Sequence, residues 1–318
     1  MRPWIDSRYH ICYPMKWNTC YSLWGDPMQK LIQQIRGFLH LSQSEFAEQL
    51  KVSFATVNRW ENGRTAPNLL AQSKLYDLCR EEAVPVYDMT LQHIAGIAQS
   101  IRLEPGRVLL YHGSKSGIKG SIEPKSRKQC DFGQGFYMGT EPSQALTLIC
   151  DYESSRLYIV SLDTTRLEAL EVPADINWAM LVAYNRGRME KIQGTPFYNR
   201  YRDLIADKDL IVGCIANDRM FYVIDNFFIG NITDAALVHS LSALQLGKQY
   251  VAVSQKACDA VRIEREISLS YLERLFLKEV AEENRTAGVS LANDICRNYR
   301  REGLFFDEIL DGVTPGGD

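Results

Sequence analysis

The chain has 318 residues, a formal net charge of −3 at pH 7 and 46% hydrophobic residues. This length predicts two or three domains, and the composition does not resemble that of a disordered chain. No apolar run approaches the roughly 20 residues that span a bilayer. The slightly acidic balance excludes a globally basic nucleic-acid coat, so any nucleic-acid surface must be local. We therefore expect a cytoplasmic protein that does not enter the membrane.

Cysteine usage and the first 27 residues carry little chemistry. The eight cysteines are scattered, with no Cys-x-x-Cys pair and no partnering His cluster. This spacing predicts reduced, mostly buried thiols and no metal site. Residues 1–27 hold few charges and no continuous apolar segment, so they are not a signal peptide. They are either an arm packed on the next segment or a wrongly assigned start upstream of Met28.

The most informative stretch is LSQSEFAEQLKVSFATVNRWENGRTAP, at residues 41–67, which predicts a helix, a tight turn and a second helix. Ser42 can cap the first helix, and Glu45 completes a capping box. Ser53 can cap the second helix, and Gly63 can supply its left-handed C-terminal cap. These signals predict two short helices with defined ends.

From Arg36 through the Arg-Trp-Glu-Asn-Gly of the second helix, residues 28–83 resemble the Cro/repressor-type, or Xre-like, helix-turn-helix. The resemblance implies that the second helix enters the major groove of double-stranded DNA. Val57 and Trp60 are expected to pack inward. The DNA-binding residues that it implies are Ser53, Phe54, Ala55, Thr56, Asn58 and Arg59, together with Gln43 and Arg64 as phosphate contacts.

Charge in this segment is nearly balanced between Lys or Arg and Asp or Glu. A monomer would therefore bind DNA weakly, because phosphate neutralisation supplies most non-specific affinity. We expect a homo-oligomer for this reason. A helical pair used only for protein contacts is the alternative interpretation.

The pattern changes along the rest of the chain. Residues 84–106 predict a linker with one short amphipathic helix, 107–263 an α+β domain, and 264–318 a helical C-terminal tail. The fold class is therefore multidomain α+β, with an all-α helix-turn-helix domain first. The predicted strands are 108–111, 157–162, 210–215, 220–224 and 249–253, and the predicted helices include 176–184 and 234–246.

Two glycine-containing motifs stand out in the α+β domain, Leu-Tyr-His-Gly-Ser at 110–114 and Asp-Phe-Gly-Gln-Gly-Phe-Tyr at 131–137. A lone His at a strand end is more often structural, but a glycine beside it lets a ligand approach the backbone. With Gly-Cys-Ile-Ala-Asn-Asp-Arg at 213–219 and Gln-Tyr-Val at 249–251, these motifs resemble the NAD-binding core of ADP-ribosyltransferases of the His-Tyr-Glu class. More closely, they resemble a family of bacterial domains of unassigned function built on that core.

The resemblance implies a split, mixed or antiparallel sheet that binds NAD as co-substrate without a metal. His112 would bind an NAD ribose, and Gly113 and Ser114 would hold the nicotinamide amide. Tyr137 would stack on the nicotinamide ring, and Gly135 would allow close approach to it. Cleavage would require the sugar hydroxyls to be oriented and the positive charge of the oxocarbenium-like transition state to be stabilised.

One position departs from the class. Gln249 stands where the class has a Glu, and it can bind a ribose hydroxyl but supplies no negative charge. Asp218 is the first choice for the missing carboxylate, with Asp131 and Glu141 as alternatives. The predicted catalytic set is therefore His112, Tyr137, Gln249 and Asp218.

Three functional hypotheses follow. The first is an enzyme that transfers ADP-ribose from NAD to a protein or nucleic acid, as a toxin or defence effector that binds its own operator. The second is a transcriptional regulator whose degenerate domain senses NAD or another nucleotide without turnover. The third makes the C-terminal half a dimerisation scaffold.

Overall fold

In a computed structural model of the protein, the described residues are 27–215, 218–243, 247–299 and 301–312. They form an all-α head, a mixed seven-stranded sheet flanked by helices, and a long helix near the C-terminal end that contacts both. The predicted N-terminal arm lies outside the described residues, apart from Pro27.

Short helices with well-formed caps build the head. They are α1 (Pro27–Phe38), α2 (Gln43–Gln49), α3 (Phe54–Glu61) and α4 (Leu69–Glu81), followed by α5 (Val86–Gln99). The predicted capping box between Ser42 and Glu45 is confirmed, as is the cap of α3 by Ser53. Gly63 has a φ of +65°, the left-handed value predicted for it. Val57 and Trp60 are buried in the head core, as predicted.

The sheet is mixed, which confirms that part of the predicted fold. Its strands are β1 (Arg107–Ser114), β2 (Phe136–Gly139), β3 (Arg156–Asp163), β4 (Ala169–Glu171), β5 (Leu210–Cys214), β6 (Lys248–Ala252) and β7 (Val261–Ser268). They lie in the order β4-β5-β6-β2-β1-β3-β7. Strands β4 and β5 are parallel, and the other described neighbours are antiparallel.

Helices cover both faces of this sheet. They are α6 (Pro142–Ile149), α7 (Ile176–Asn185), α8 (Pro196–Ala206), α9 (Asp218–Phe228), α10 (Asp234–Ala243), α11 (Gln255–Asp259), α12 (Tyr271–Tyr299) and α13 (Phe306–Asp311). One face carries a single apolar core that includes Leu110, Phe136 and Tyr158. The opposite face carries two cores, one around Ile149 beneath α6 and one around Trp178 beneath α7.

Helix α12 joins the head to the sheet. Leu272 and Phe276, near its start, are part of the head core. Leu277 belongs to the core beneath α6, and Ile295 to the core beneath α7. The C-terminal segment is therefore helical, as predicted, but it packs through the body of the protein.

Two predicted elements are wrong. Residues 220–224 form part of helix α9, not a strand, because a short apolar run fits a strand and a buried helix equally well. Strand β7 occupies the start of the region predicted to be helical from residue 264. The short amphipathic helix predicted within 84–106 is α5, whose Ile94 packs in the core beneath α6. Strands β2 and β4 had not been predicted as strands.

Candidate functional sites

The first candidate site is the exposed edge of α3. Phe54 is 52% exposed, and Ser53, Ala55 and Arg59 are also exposed, whereas Thr56 is half-buried. An exposed Phe on a helix that is otherwise well packed offers an apolar contact for a thymine methyl. Arg64 is exposed in the turn that follows. This placement is compatible with α3 lying in a major groove.

A buried ionic network supports that edge from behind. Glu61 is only 4% exposed, and its carboxylate accepts hydrogen bonds from Arg36 Nε at 2.6 Å and Arg36 Nη2 at 3.0 Å. The hydrogen bond to Glu61 raises the pKa of Arg36. Gln43 Nε2 donates to the same carboxylate at 2.6 Å, and Gln43 Oε1 accepts from Asn58 Nδ2 at 3.3 Å. Gln43, predicted to contact phosphate, thus has its amide engaged inside the head, where it positions Asn58.

The second candidate site is a gap between β1 and β2. Within these two strands, Tyr111 and Gly139 are the only residues in paired register. The loop 115–135 connects the two strands, and the residues of β1 that follow Tyr111, up to Ser114, have no register partner in β2. His112 bridges the gap, with its Nδ1 2.7 Å from the backbone oxygen of Tyr137.

His112 is held as a neutral imidazole. Its ring stacks on Phe136 at a centroid distance of 4.1 Å, and burial lowers its pKa. The Tyr137 carbonyl can only accept a hydrogen bond, so Nδ1 carries the proton and Nε2 is left as a lone-pair acceptor. An acceptor at this place suits the hydroxyl of a sugar.

The hydroxyl of Tyr137 is engaged within the protein. It donates to Gly133 O at 2.7 Å and accepts from Phe132 N at 3.1 Å, so it fastens the loop before β2. Burial raises the pKa of this phenol. Its ring packs against the core beneath α7, whereas His112 stacks on Phe136 in the core of the opposite face. The two side chains therefore point to opposite faces of the sheet.

The motif glycines mark close packing within the protein. A Cβ on Gly113 would lie 2.6 Å from Ala145 O in α6. A Cβ on Gly135 would lie 2.5 Å from a methyl of Val251. Gly113 is thus needed for the close approach of α6, and Gly135 for the close approach of β6, whether or not a ligand also approaches them. Ser114 ends β1 opposite Arg156 of β3.

Gln249 lies in a row across the sheet. Tyr111, Gly139, Gln249 and Gly213 face one another in register, on the same face as Tyr137. Gln249 is buried, and its Nε2 donates to Cys214 O at 3.0 Å. Beside Gly139, within this row, lies an acceptor without a donor, the buried Oε1 of Gln144, 3.7 Å from where a Cβ of Gly139 would be.

The three candidate carboxylates have unequal surroundings. Asp218 is the first residue of α9, and its side chain lies outside the described residues. Asp131 pairs with Arg186 at 2.7 Å and is committed to that contact. Glu141 is exposed at the start of α6, and its Cγ lies 3.1 Å from where a Cβ of Gly247 would be, two residues before Gln249. Of the two described carboxylates, Glu141 is the one without a charged partner.

Thiols and metal ligands add no further site among the described residues. Cys79, Cys150, Cys214 and Cys258 are buried and form no disulfide, as predicted, and burial raises the pKa of Cys79 and Cys214 to about 12. No group of three or more His, Cys, Asp or Glu in the described residues could hold a metal ion. No described helix is long and apolar enough to cross a membrane.

Comparisons with known proteins divide the chain in the same way. Residues 32–71 match a family described as helix-turn-helix, which supports a DNA-binding regulator. Residues 108–263 match a family described as a protein of unknown function, DUF3990. No curated protein and no solved structure matches the chain.

Proposed function

We propose that the protein is a DNA-binding regulator whose mixed-sheet domain binds NAD. The DNA part rests on the helix-turn-helix match and on the exposed edge of α3. The observation that carries the NAD part is the gap between β1 and β2, with neutral His112 at its edge. A ligand in this gap lies between two strands of one sheet, where small changes in strand separation are transmitted to the helices on both faces.

The polar atoms of the gap and of the row beside it suit a nucleotide. His112 Nε2 can accept from a ribose hydroxyl, because Nδ1 carries the ring proton. Gln144 Oε1 is a buried acceptor without a donor, a costly arrangement that a ligand hydroxyl or carboxamide N–H would relieve. The two acceptors lie on opposite faces of the sheet, so His112 Nε2 supports binding of a ribose of NAD at the gap, whereas Gln144 Oε1 is available only on the face that carries Tyr137 and Gln249.

Binding without turnover is favoured by the surroundings of Gln249. Its amide is neutral and is already donating to Cys214 O. A neutral amide cannot stabilise the positive charge that develops on the sugar when nicotinamide leaves. Asp131 cannot replace it, since Arg186 holds that carboxylate.

ADP-ribose transfer is the second candidate function, and the position of Glu141 favours it. This carboxylate lies beside the start of β6, close to the place where the class has its Glu. In this reaction the bond between the ribose C1′ and nicotinamide breaks, and nicotinamide leaves with the bonding pair. A nucleophile of the acceptor then bonds to C1′ and loses its proton. Glu141 would stabilise the cationic sugar and take that proton.

Calorimetry on the full chain tests NAD binding. The full chain is required because Leu272 and Phe276 of α12 complete the head core, so a fragment would lose part of its packing. His112→Ala should weaken NAD binding by about 1–3 kcal/mol, the typical effect of removing one partner of a buried hydrogen bond. His239→Ala, which removes an imidazole stacked on Tyr299 in α12, is the matched control and should bind NAD normally. A folded wild type that binds no NAD would refute the proposal.

Nicotinamide release distinguishes the two candidate functions. A regulator without turnover should release none, and Gln249→Glu should introduce slow release by restoring the class carboxylate. If the wild type releases nicotinamide and Glu141→Gln abolishes the release, transfer is the function of the domain. Release that is unaffected by Glu141→Gln would exclude Glu141 as the catalytic carboxylate.

A further inference from the structure

The loop between β1 and β2 is strongly basic in a protein that is acidic overall. Residues 115–128 contain one acidic residue, Glu123, and five basic ones: Lys115, Lys119, Lys125, Arg127 and Lys128. All five basic residues are exposed. The net charge of the whole chain is −3, so this loop is a local positive patch at the mouth of the gap.

The loop is fixed in place by contacts to the sheet and to α11. Tyr158 Oη accepts from Ile118 N at 2.9 Å, and Gln255 Nε2 donates to Ile122 O at 3.0 Å. Ser126 and Gly135 hydrogen-bond each other twice, with Gly135 N donating to Ser126 Oγ at 3.0 Å and Ser126 N donating to Gly135 O at 3.2 Å. The backbone is thus anchored while the cationic side chains extend outward, which lowers the entropic cost of binding.

Three of the five cations, Lys119, Arg127 and Lys128, have neither a carboxylate partner nor an aromatic ring contact among the described residues. Lys125 pairs with Glu123, and Lys115 lies 4.4 Å from the centre of the Tyr152 ring. Unpaired surface cations in a fixed loop retain their full attraction for an anion.

Aromatic rings flank the loop at both ends. Tyr152, beside Lys115, is 39% exposed. Lys128 lines an open cavity of about 280 Å³ together with Gln134, Tyr184 and Asn185, and Tyr184 packs edge-on against Tyr198. The loop therefore combines exposed cations with an aromatic ring at each end, and these are the two features by which proteins bind single-stranded nucleic acids, with phosphates on the cations and bases on the rings.

We propose that the loop 115–128 binds single-stranded nucleic acid and guides it to the gap between β1 and β2. NAD has one pyrophosphate and could occupy only part of a surface with three unpaired cations spread over ten residues. A strand presents a phosphate at every nucleotide and matches this spread. If the domain transfers ADP-ribose, this strand is its acceptor, and in that respect the inference rests on the proposed function. The binding itself does not.

The test uses the full chain with the head disabled for DNA by Arg59→Ala and Arg64→Ala. Binding of a fluorescent 20-mer of deoxythymidine is followed by anisotropy at several salt concentrations. In this background, the loop variant Lys119→Gln, Arg127→Gln, Lys128→Gln should bind at least tenfold more weakly. The slope of log Kd against log salt should fall by about 2, since each phosphate contact of a single strand contributes roughly 0.7.

Controls separate this inference from general electrostatics and from the NAD site. The variant Arg102→Gln, Arg166→Gln, Arg301→Gln removes three exposed charges outside the loop and should bind the 20-mer normally. Equal binding by loop and control variants would overturn the inference. A loop variant that keeps its binding of the 20-mer but loses only its binding of NAD, or only its binding of duplex DNA, would also overturn the inference. A wild type that binds the 20-mer through the loop but binds no NAD would support this inference and refute the NAD proposal.

Discussion

Within the head, the carboxylate of Glu61 accepts hydrogen bonds from Arg36 and from Gln43, and Gln43 in turn accepts from Asn58. Gln43 therefore connects Asn58 to the ion pair between Arg36 and Glu61. Of the predicted base-contacting residues of α3, Asn58 belongs to this network directly. Two backbone contacts strengthen it, because Gln29 and Gln33 both donate to Glu61 O at 2.7 Å.

Breaking this ion pair should destabilise the head. Arg36→Ala leaves a buried carboxylate with Gln43 as its remaining side-chain donor. Removing one partner of a buried pair typically costs about 3–5 kcal/mol. We expect about 2–3 kcal/mol, because the Arg36 side chain is 25% exposed and water can replace part of it. Urea unfolding measures the loss, and Arg64→Ala, an exposed residue, should change stability little. A loss below about 0.5 kcal/mol for Arg36→Ala would contradict the role given to the pair.

The caps and the inward residues of the head could be predicted because each depends on neighbours within four positions along the chain. The role of Glu61 could not be predicted in this way, since its partners Arg36 and Gln43 lie 25 and 18 residues away along the chain. The same limit applies in the sheet. The sequence places His112 at the end of a strand, but the carbonyl that fixes its tautomer is 25 residues away, at Tyr137.

Two half-buried histidines, His112 and His93, give stability a defined dependence on pH. Burial lowers the pKa of His112, and burial together with the charge of Lys30 lowers that of His93. In the unfolded chain the His pKa values are near 6.5. Below that pH the histidines are protonated in the unfolded chain but remain neutral in the folded protein, which destabilises the folded state. Stability should therefore be constant above about pH 7 and fall as the pH decreases from there. Urea unfolding between pH 5 and 8 should show a smaller decrease in the free energy of unfolding for His112→Asn than for the wild type. His93→Asn should remove a separate part of the same decrease. An unchanged pH profile in His112→Asn would contradict a neutral half-buried imidazole.

At the scale of elements, the gap between β1 and β2 is controlled from one side by α6. The backbone of α6 approaches β1 so closely at Gly113 that a Cβ there would lie 2.6 Å from Ala145 O. Helix position and strand separation are thus linked. The sequence predicted β1, β3, β5 and β6, and of these β3 and β5 are continuous runs of buried residues. It failed at 220–224, where an apolar run packs as a helix, and at β7, whose charged, exposed residues resemble a surface helix.

Gly113→Ala should force α6 away from β1. Overpacking of this kind typically costs about 1–3 kcal/mol. The backbone cannot be relieved by a rotamer change, so we expect the upper half of that range. Gly96→Ala in α5 is the matched control, since nothing lies within 4 Å of its Cβ position, and a helical alanine there should stabilise by about 0.5–1 kcal/mol. Thermal unfolding of the two variants gives the comparison. If both variants shifted the melting temperature in the same direction, the close approach of α6 would not be a constraint.

At the scale of the whole molecule, α12 connects the two candidate sites. Its first turns complete the head core, and its later turns pack on α9 and α10. Gln72 in α4 accepts a hydrogen bond from Leu272 N at 3.1 Å, and Arg80 pairs with Glu279 at 3.1 Å. Helix α9 begins shortly after β5, next to the row that contains Gln249. The sequence assigned this helix to a tail, because an amphipathic pattern does not reveal which partner its apolar residues contact.

This connection predicts that a ligand in the gap changes the affinity of the head for DNA. Coupling between sites in one molecule is typically about 1–3 kcal/mol, or roughly 5–150-fold in affinity. The most direct test is to select the preferred duplex from a random pool and then measure its Kd for the full chain with and without saturating NAD. We predict a change of at least fivefold, and its loss in His112→Ala. A folded protein that binds NAD and the selected duplex, each without any effect on the other, would contradict the account.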